Sequence, residues 1–245
     1  MSTTIDPYNV IPKYHQLALI LKAQIVDGNW PPRSAIPAER QLETIYSISR
    51  TTIREAINLL IQQGYLYREH GRGTFVSPQK LQKKIMELTS FSEDMVKRGI
   101  RPGQIIRKVE IITPPTRIQR LLELPPNNTV IEIDRIRLGD GKPIGLQTSY
   151  IALQNPNTIT KADLEELGSL YKILEQKFHI IPSEAEETLE VTLADLDEAK
   201  LLGILPGAPL LLSQRLLFDQ NRKPVEFVRI LYRGDKYQYY IRLVR

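Results

Sequence analysis

The sequence has 245 residues, a formal net charge of +5, a pI of about 9.3 and no cysteine. This length allows roughly two domains, each large enough to bury a core. The absence of cysteine excludes disulfide bonds and thiolate metal sites. The mild excess of basic residues is compatible with a nucleic-acid-binding patch but does not amount to a basic tail. The start MSTTIDPYNV does not resemble a signal peptide, and no apolar run approaches the roughly 18 residues that span a bilayer. We therefore expect a soluble cytoplasmic protein without a membrane partner.

Two helices are predicted before the third and most informative one. The first covers residues 13–27, where apolar side chains recur at three- and four-residue spacing, and it ends at Gly28. After a loop that closes at Pro37, a short second helix is predicted from apolar residues at positions 42, 45 and 46. The short connection to the next helix is typical of a helix-turn-helix.

The stretch 48–64 predicts a helix with two chemically different faces. Ser49 is a suitable N-cap, and apolar residues at positions 53, 57, 60 and 61 line one face. The N-terminal end of the other face carries Arg50, Thr51, Thr52 and Arg54. Arginine can bond both acceptors on a guanine edge, and hydroxyl groups beside free helix amides can hold phosphates. Taken alone, this helix is equally compatible with DNA recognition and with a solvated mixed-charge surface.

A β-hairpin is predicted after the third helix. Residues 65–76 alternate around a glycine-flanked arginine, which indicates strands at 65–69 and 74–76. Three helices followed by a hairpin form a winged helix-turn-helix. The sequence therefore predicts a DNA-binding domain in residues 1–76.

Three motifs in this region occur in a specific order. They are Pro37-Ala38-Glu39-Arg40, Ser49-Arg50-Thr51-Thr52-Ile53-Arg54 and Gly71-Arg72-Gly73-Thr74-Phe75-Val76. With them, residues 11–76 resemble the DNA-binding domain of GntR-family transcription regulators. The resemblance implies base or adjacent phosphate contacts from Arg40, Arg50 and Arg54, and backbone contacts from Ser49, Thr51 and Thr52. It also implies that the wing tip, Gly71, Arg72 and Gly73, enters the minor groove. Ala38 departs from the serine of many members, which weakens that helix cap by about 1 kcal/mol.

The rest of the chain predicts a linker and an α+β domain. Residues 77–88, rich in lysine and glutamine, predict an interdomain linker, unless they continue the wing or extend the next helix. Residues 89–245 lack the steady alternation of a parallel sheet, so one curved antiparallel sheet is expected. Short connections at 139–142 and 233–236 predict two antiparallel hairpins. The predicted strands are 105–112, 130–138, 143–151, 187–193, 210–219, 225–232 and 237–243. The predicted helices are 91–98, 115–122, 161–167, 170–178 and 195–202.

Two arginines share the apolar face of a predicted strand. Period-two alternation places Arg135 and Arg137 on one face with the isoleucines at 131 and 133. Burying two like charges without a partner is costly, so the pair needs a resident carboxylate or a bound anion. A phosphate is suitable because paired guanidinium groups chelate its oxygens. Structural pairing with Glu187 or Glu226, or exposure at a sheet edge, stays open as an alternative.

Four stretches of this domain carry a second resemblance: 89–95, 134–138, 202–209 and 232–237. With them the domain resembles the effector-binding UTRA domain of HutC-subfamily regulators, which is similar in fold to chorismate lyase. The match is best to repressors of N-acetylglucosamine catabolism, which respond to amino-sugar phosphates. The resemblance implies a phosphate site at Arg135, Arg137, Ser169, Tyr171 and the backbone amides around Ser90 and Phe91. It implies contacts to sugar hydroxyls from Glu226 and Tyr232. Gln147 replaces a glutamate of amino-sugar members, so a neutral or N-acetylated sugar phosphate fits as well as an amine.

The combined expectation is a transcription factor rather than an enzyme. It would bind a palindromic double-stranded DNA operator as a homodimer, because a single winged helix reads only a few base pairs. A phosphorylated sugar, such as glucosamine-6-phosphate or N-acetylglucosamine-6-phosphate, would release it, and no cofactor or metal is expected. One alternative is the same regulator class sensing a small carboxylate, such as a histidine-degradation intermediate. The other is a chorismate-lyase-like enzyme, which is disfavoured because the histidines at 15, 70 and 179 lack metal-ligand or triad spacing.

Overall fold

The computed structural model describes residues 4–78, 81–84, 88–153 and 159–240. The chain divides into two compact units, Met1–Lys80 and Leu81–Arg245. Among the residues described, no helix has the length and apolar character needed to cross a membrane.

The N-terminal unit is a winged helix-turn-helix. Its elements are α1 Lys13–Val26, α2 Glu39–Tyr46, α3 Arg50–Gln62, β1 Leu66–Glu69 and β2 Gly73–Val76, with the two strands antiparallel. A single core joins the helices to the hairpin, and it includes Leu17, Leu21, Leu42, Ile53, Ile57, Leu60, Leu66 and Val76. The apolar spacing predicted for all three helices is therefore the spacing of their buried faces.

The caps of α2 and α3 differ in quality. The Ser49 hydroxyl accepts a hydrogen bond from the Thr52 amide at 3.3 Å, as expected for the N-cap of α3. At α2 the side chain of Gln41 accepts from the Ala38 amide at 2.9 Å. Ala38 has no side-chain acceptor to complete a capping box. The tight turn between the two helices passes through Ser47 in the left-handed region, with φ of 52°.

The C-terminal unit has a six-stranded antiparallel sheet. Its strand order is β4-β5-β6-β9-β8-β7, and helices cover both faces. The remaining strands of the unit, β3 and β10, pair with each other. In chain order the elements are β3 Leu81–Lys84, α4 Phe91–Lys97, β4 Pro102–Ile112, α5 Thr116–Leu121, β5 Val130–Gly139, β6 Lys142–Ile151, α6 Lys161–Leu167, α7 Leu170–Phe178, β7 Glu184–Leu193, α8 Leu196–Leu202, β8 Pro209–Phe218, β9 Pro224–Arg233 and β10 Tyr237–Tyr240.

The two faces of the sheet have different coverings. Helices α6 and α7 pack over one end of the first face, against Ile131 and Ile133 of β5. Phe91 and Met95 of α4 belong to the apolar cluster at the other end of that face. Helix α8 covers the opposite face. Arg135 and Arg137 follow the two isoleucines along β5 and therefore lie on the first face.

The predicted pairing of the last two strands is wrong. The connection 233–236 does not form a β9–β10 hairpin, because both edges of β9 are already paired, with β6 and with β8. Strand β10 instead pairs in parallel with β3. Residues 241–243 of the predicted last strand lie outside the described residues.

The same pairing changes the predicted linker, 77–88. Residues 81–84 form β3 and belong to the C-terminal unit, whose boundary falls at Leu81 rather than at residue 89. Parallel pairing gives the β3 backbone hydrogen-bond partners that a linker would find only in water. The 139–142 hairpin, by contrast, is confirmed as the β5–β6 connection.

Candidate nucleic-acid interface and effector cavity

The polar end of α3 is presented to solvent. The Arg50 and Arg54 side chains are 59% and 60% exposed, and Thr51 is exposed beside them. Ser49 and Thr52 are hydrogen-bonded to each other through their hydroxyl groups at 2.9 Å. This end of the helix can therefore contact a duplex without unfolding any part of the unit.

The remaining predicted DNA contacts lie on α2 and the wing. Arg40 is exposed on the first turn of α2. Gly71 and Gly73 have φ of 72° and 125°, values that favour glycine, and they place Arg72 at an exposed hairpin tip. Arg72 pairs with Glu69, and its guanidinium lies 5.8 Å from the Phe75 ring centroid. The wing tip is thus exposed and held by a tight turn, with the charge of Arg72 paired to Glu69.

In the C-terminal unit, Arg137 is buried and held by neutral groups. Its Nε donates to Gln147 Oε1 at 2.6 Å and its Nη1 donates to Gln104 Oε1 at 3.0 Å. The guanidinium also lies over the Phe91 ring at 4.5 Å. None of these three groups carries a charge, so they orient the arginine without neutralising it.

Arg135 is completely buried, at 0% exposure, and is held more weakly. Its Nη1 approaches Gln104 Oε1 at 3.4 Å and its Nη2 approaches Ser149 Oγ at 3.5 Å. Its Nε has no hydrogen-bond partner among the described residues. An unsatisfied buried guanidinium N–H is costly, so this site is suited to an added acceptor.

The carboxylates considered as structural partners do not neutralise this pair. Glu187 pairs with Arg215 at 3.1 Å instead. Glu226 is buried and one of its oxygens has no partner in the described part of the chain. It attracts both Arg135 and Arg137 without a direct hydrogen bond to either, while burial raises the pKa of Glu226. Within the described residues one carboxylate thus faces two guanidinium groups, so the arginine pair is only partly neutralised.

Burial disfavours the charged forms of both guanidinium groups. It lowers the pKa of Arg135 to about 10, against the attraction of Glu226 and Asp134. Burial also lowers the pKa of Arg137, and the neighbouring charge of Arg135 lowers it further. A bound anion would stabilise the charged forms of both groups and reverse these shifts.

A small cavity and a larger groove adjoin the arginine pair. The cavity has a volume of about 30 Å³ and is lined by Ser90, Phe91, Arg135, Arg137, Gln147, Tyr171, Arg215, Glu226 and Tyr232, among others. The groove, of about 860 Å³, runs between α4, β4 and the α6–α7 turn and includes Ser90, Gln104 and Ser169. The cavity has room for about one water molecule, so a sugar phosphate enters only if side chains move.

Two family models match the chain. "Bacterial regulatory proteins, gntR family" matches residues 13–76, and "UTRA domain" matches residues 97–238. The chain belongs to the GntR family, with a UTRA domain.

It is 34% identical over 235 residues to the HTH-type transcriptional repressor NagR of Bacillus subtilis, covering 96% of each chain. It is 29% identical to a probable fructoselysine utilization operon transcriptional repressor of Escherichia coli O157:H7, again covering 96% of both. The crystal structure of PhnF from Mycobacterium smegmatis superposes with a TM-score of 0.61 at 26% identity, covering 93% of this chain and 98% of that one.

These likenesses confirm the predicted class and fold. The protein is a transcriptional repressor of the GntR/HutC type, and its matched domains are those of regulators rather than enzymes. The winged helix-turn-helix and the antiparallel sheet are present as predicted.

The predicted effector residues of this GntR-family repressor are largely brought together. Eight of them line the small cavity, and Ser169 lies in the adjoining groove with a buried hydroxyl that has no partner among the described residues. The Ser90 amide, predicted to face a phosphate, instead donates to the Glu93 carboxylate at 2.9 Å. That hydrogen bond completes the cap of α4, so this amide is occupied within its own helix.

The sequence predicts no role for Arg215 or Gln104. Arg215 is a third buried arginine, bonded to the Tyr171 hydroxyl at 3.3 Å and to both Glu187 oxygens. Period-two alternation along β8 places it on the same sheet face as Ser213, a signal of the kind that located Arg135. Gln104, by contrast, carries no sequence signal, because an amide in a strand is ordinary.

Proposed function

We propose that this repressor binds a palindromic operator as a homodimer and is released by a phosphorylated sugar whose phosphate is bound by Arg135 and Arg137. The observation that carries the effector assignment is the buried arginine pair, whose side-chain hydrogen bonds among the described residues all go to neutral groups. Two buried cations that are oriented by neutral groups and only partly neutralised by Glu226 form a site for a multiply charged anion.

The neighbouring groups support a phosphate at this position. Gln104 and Gln147 hold Arg137 through its Nη1 and Nε, which fixes the plane of the guanidinium. Arg135 Nε and Ser169 Oγ are buried donors without described partners. A phosphate offers several acceptor oxygens, so it can satisfy donors from more than one side chain.

The rest of the cavity suits a sugar. Glu226 and Tyr232 line it, and one Glu226 oxygen is unpartnered among the described residues, so it can accept from a hydroxyl. Gln147 is neutral, which favours a neutral or N-acetylated ring as much as an amine. A relative named as a repressor of a fructoselysine utilization operon supports a sugar-derived effector.

The DNA contacts proposed are those of the exposed polar surface on α2, α3 and the wing. Arg40, Arg50 and Arg54 would contact bases or adjacent phosphates, the hydroxyls of Ser49, Thr51 and Thr52 would contact the backbone, and Gly71, Arg72 and Gly73 would enter the minor groove. Two such units on one palindrome give the site length and affinity that one unit lacks. Release then requires that the free energy of effector binding differ by several kcal/mol between the operator-bound and the free repressor.

The test has a ligand arm and a DNA arm. The full chain is heated with sugar phosphates, amino-sugar phosphates, free sugars and small carboxylates, each at a hundredfold excess over its dissociation constant. A specific ligand should add about 2.7 kcal/mol of stability. Stabilisation by one phosphate class supports the proposal, whereas stabilisation by carboxylates alone contradicts it.

In the DNA arm, duplexes are enriched by the protein from a random-sequence pool, and we expect a two-fold symmetric sequence.

A further inference from the structure

One carboxylate lies among three arginines on the surface of the winged helix. Glu39, the first residue of α2, accepts from Arg50 Nε at 2.9 Å. Its other oxygen lies 3.8 Å from Arg54 Nε and 3.9 Å from Arg68 Nη2. The three arginine side chains are 42–60% exposed, while Glu39 is 25% exposed. We call these four residues the Glu39 cluster.

The Glu39 cluster joins three separate elements. Glu39 belongs to α2, Arg50 and Arg54 lie one turn apart on α3, and Arg68 lies on wing strand β1. Exposed ion pairs contribute little to folding stability, so a stabilising role does not account for the convergence of three cations on one acid. The arrangement does draw three long side chains toward one carboxylate, with Arg50 hydrogen-bonded and Arg54 and Arg68 at ion-pair distance, on the surface proposed to contact DNA.

Fixed arginines matter because base reading depends on orientation. A guanidinium group bonds two acceptors on a guanine only when its plane and position match the base edge. A phosphate contact needs no such match, because backbone charge is uniform along a duplex. A carboxylate that restrains the arginines and repels phosphates therefore favours correctly aligned complexes over unspecific ones.

We propose that Glu39 is a positioning residue that orients Arg50 and Arg54 for base reading, and that Arg68 is a further DNA-contacting arginine held in the same cluster. This inference rests on the proposed DNA-binding function. Glu39 itself touches no base in this scheme and acts through the arginines that it holds.

A purely structural role for Glu39 predicts something different. An acidic residue in the first turn of a helix interacts favourably with the helix dipole, so its loss could act only by weakening α2. Such a loss lowers the melting temperature and weakens binding to all duplexes alike. A positioning role changes the ratio of affinities for two duplexes and leaves folding largely intact.

The experiment compares Glu39→Gln with Glu43→Gln in the full chain. Glu43 is one turn further along α2 and forms none of the three contacts, so both variants remove one negative charge from the same helix. Dissociation constants are measured over a range of salt for the duplex enriched by the wild type and for a scrambled duplex. Melting temperatures are measured alongside.

For Glu39→Gln we expect tighter binding to the scrambled duplex and a salt dependence steeper by about one unit of slope. We expect its ratio of specific to scrambled affinity to fall roughly tenfold, the scale of one aligned base contact. Glu43→Gln should keep the wild-type ratio within about twofold, because Glu43 attracts Arg50 only through space and forms no hydrogen bond that orients it. Arg68→Gln should reduce the salt slope by about one.

Several outcomes would overturn the inference. Equal ratios in the two glutamate variants would show that Glu39 contributes charge alone. A lower melting temperature with equal losses on both duplexes would show a structural role. An unchanged salt slope in Arg68→Gln would remove Arg68 from the contact surface. A wild type that enriches no duplex at all would instead refute the proposed DNA-binding function.

Discussion

At the scale of a single residue, the neutral side chain of Gln147 leaves the positive charge of Arg137 in the cavity. Its Oε1 accepts from Arg137 Nε at 2.6 Å, and its amide nitrogen donates to Ser149 Oγ at 2.9 Å. An amide thus orients the arginine and leaves its charge available to a ligand. A carboxylate at this position would make the same hydrogen bond and also neutralise Arg137, in competition with a bound phosphate.

Gln147→Glu is therefore expected to weaken the binding of a neutral or N-acetylated sugar phosphate, which has no amine to pair with the new carboxylate, by roughly tenfold, equivalent to about 1.4 kcal/mol. Titration calorimetry with the ligand found in the stability screen measures this directly. Gln147→Met is the matched neutral control, since it has a similar size and loses only the hydrogen bonds. Equal losses in both variants would mean that orientation, and not charge, is what Gln147 provides.

The residues that could be predicted from sequence are those whose role follows from a local pattern. Arg135 and Arg137 were located because β5 alternates cleanly and the two cations lie on its apolar side. Arg215 obeys the same alternation but lies in β8, where leucines occupy both faces and hide the contrast. Gln104 and Glu39 make their contacts with residues distant in the chain, which no spacing rule describes.

Elements with strong local signals were predicted to within a few residues. Helices α6 and α7 have the predicted bounds, and all six strands of the main sheet were identified. The partner of β10 was not, because it depends on which strand edges are free once the sheet has formed. The short connection at 233–236 predicted that β10 would pair with an edge of β9, yet β6 and β8 occupy both edges of β9. Strand pairing of this kind is a property of the assembled sheet.

The N-terminus of α2 is an element whose local chemistry is incomplete. Gln41 already accepts from the Ala38 amide, while residue 38 offers no acceptor in return. Ala38→Ser should complete the capping box and stabilise the N-terminal unit by about 0.5–1 kcal/mol. The single tryptophan, Trp30, packs against the core of this unit, so its fluorescence during urea unfolding reports on it.

Ser49→Ala gives the opposite control at the neighbouring helix. It removes the acceptor used by the Thr52 amide and should destabilise the same unit by about 1 kcal/mol. If Ala38→Ser left the urea midpoint unchanged while Ser49→Ala lowered it, the Gln41 contact alone would already satisfy the start of α2.

A second element-scale prediction concerns β10 and the aromatic stack beneath it. Tyr237 is stacked on Tyr232, with ring centroids 3.9 Å apart, and its hydroxyl donates to Asp94 Oδ2 at 2.9 Å. Tyr237→Phe keeps the stack and removes the donor, which leaves a buried carboxylate less well satisfied. We expect a loss of about 1–2 kcal/mol in the stability of the C-terminal unit. Asp94 also accepts from Arg98 Nε at 2.9 Å and Nη2 at 2.7 Å. Circular dichroism of thermal unfolding tests the prediction, and an unchanged transition would indicate that Arg98 alone satisfies Asp94.

For the whole molecule, the proposed DNA contacts and the proposed effector site lie in different parts of the chain, so we expect that a substitution can remove one activity and keep the other. The proposed DNA contacts lie within Met1–Lys80, whereas Arg135 and Arg137 lie within Leu81–Arg245. The double variant Arg135→Met/Arg137→Met replaces two buried charges by apolar side chains of similar length. Such replacements are often neutral or stabilising, so the variant should fold and bind the operator.

This variant should stay on the operator at effector concentrations that release the wild type. Without the arginine pair the effector should bind the operator-bound and the free repressor with equal affinity. A ligand that binds both states equally does not change the fraction of repressor on the operator. Fluorescence anisotropy of a labelled operator, titrated with the effector, measures release for each protein. Arg107→Met on the neighbouring strand β4 is the matched control, because Arg107 is exposed and pairs with Asp134 at 3.0 Å on the opposite face of the sheet. Normal release of the double variant would show that the effector acts elsewhere, whereas failed release of the control would show a general effect of lost charge.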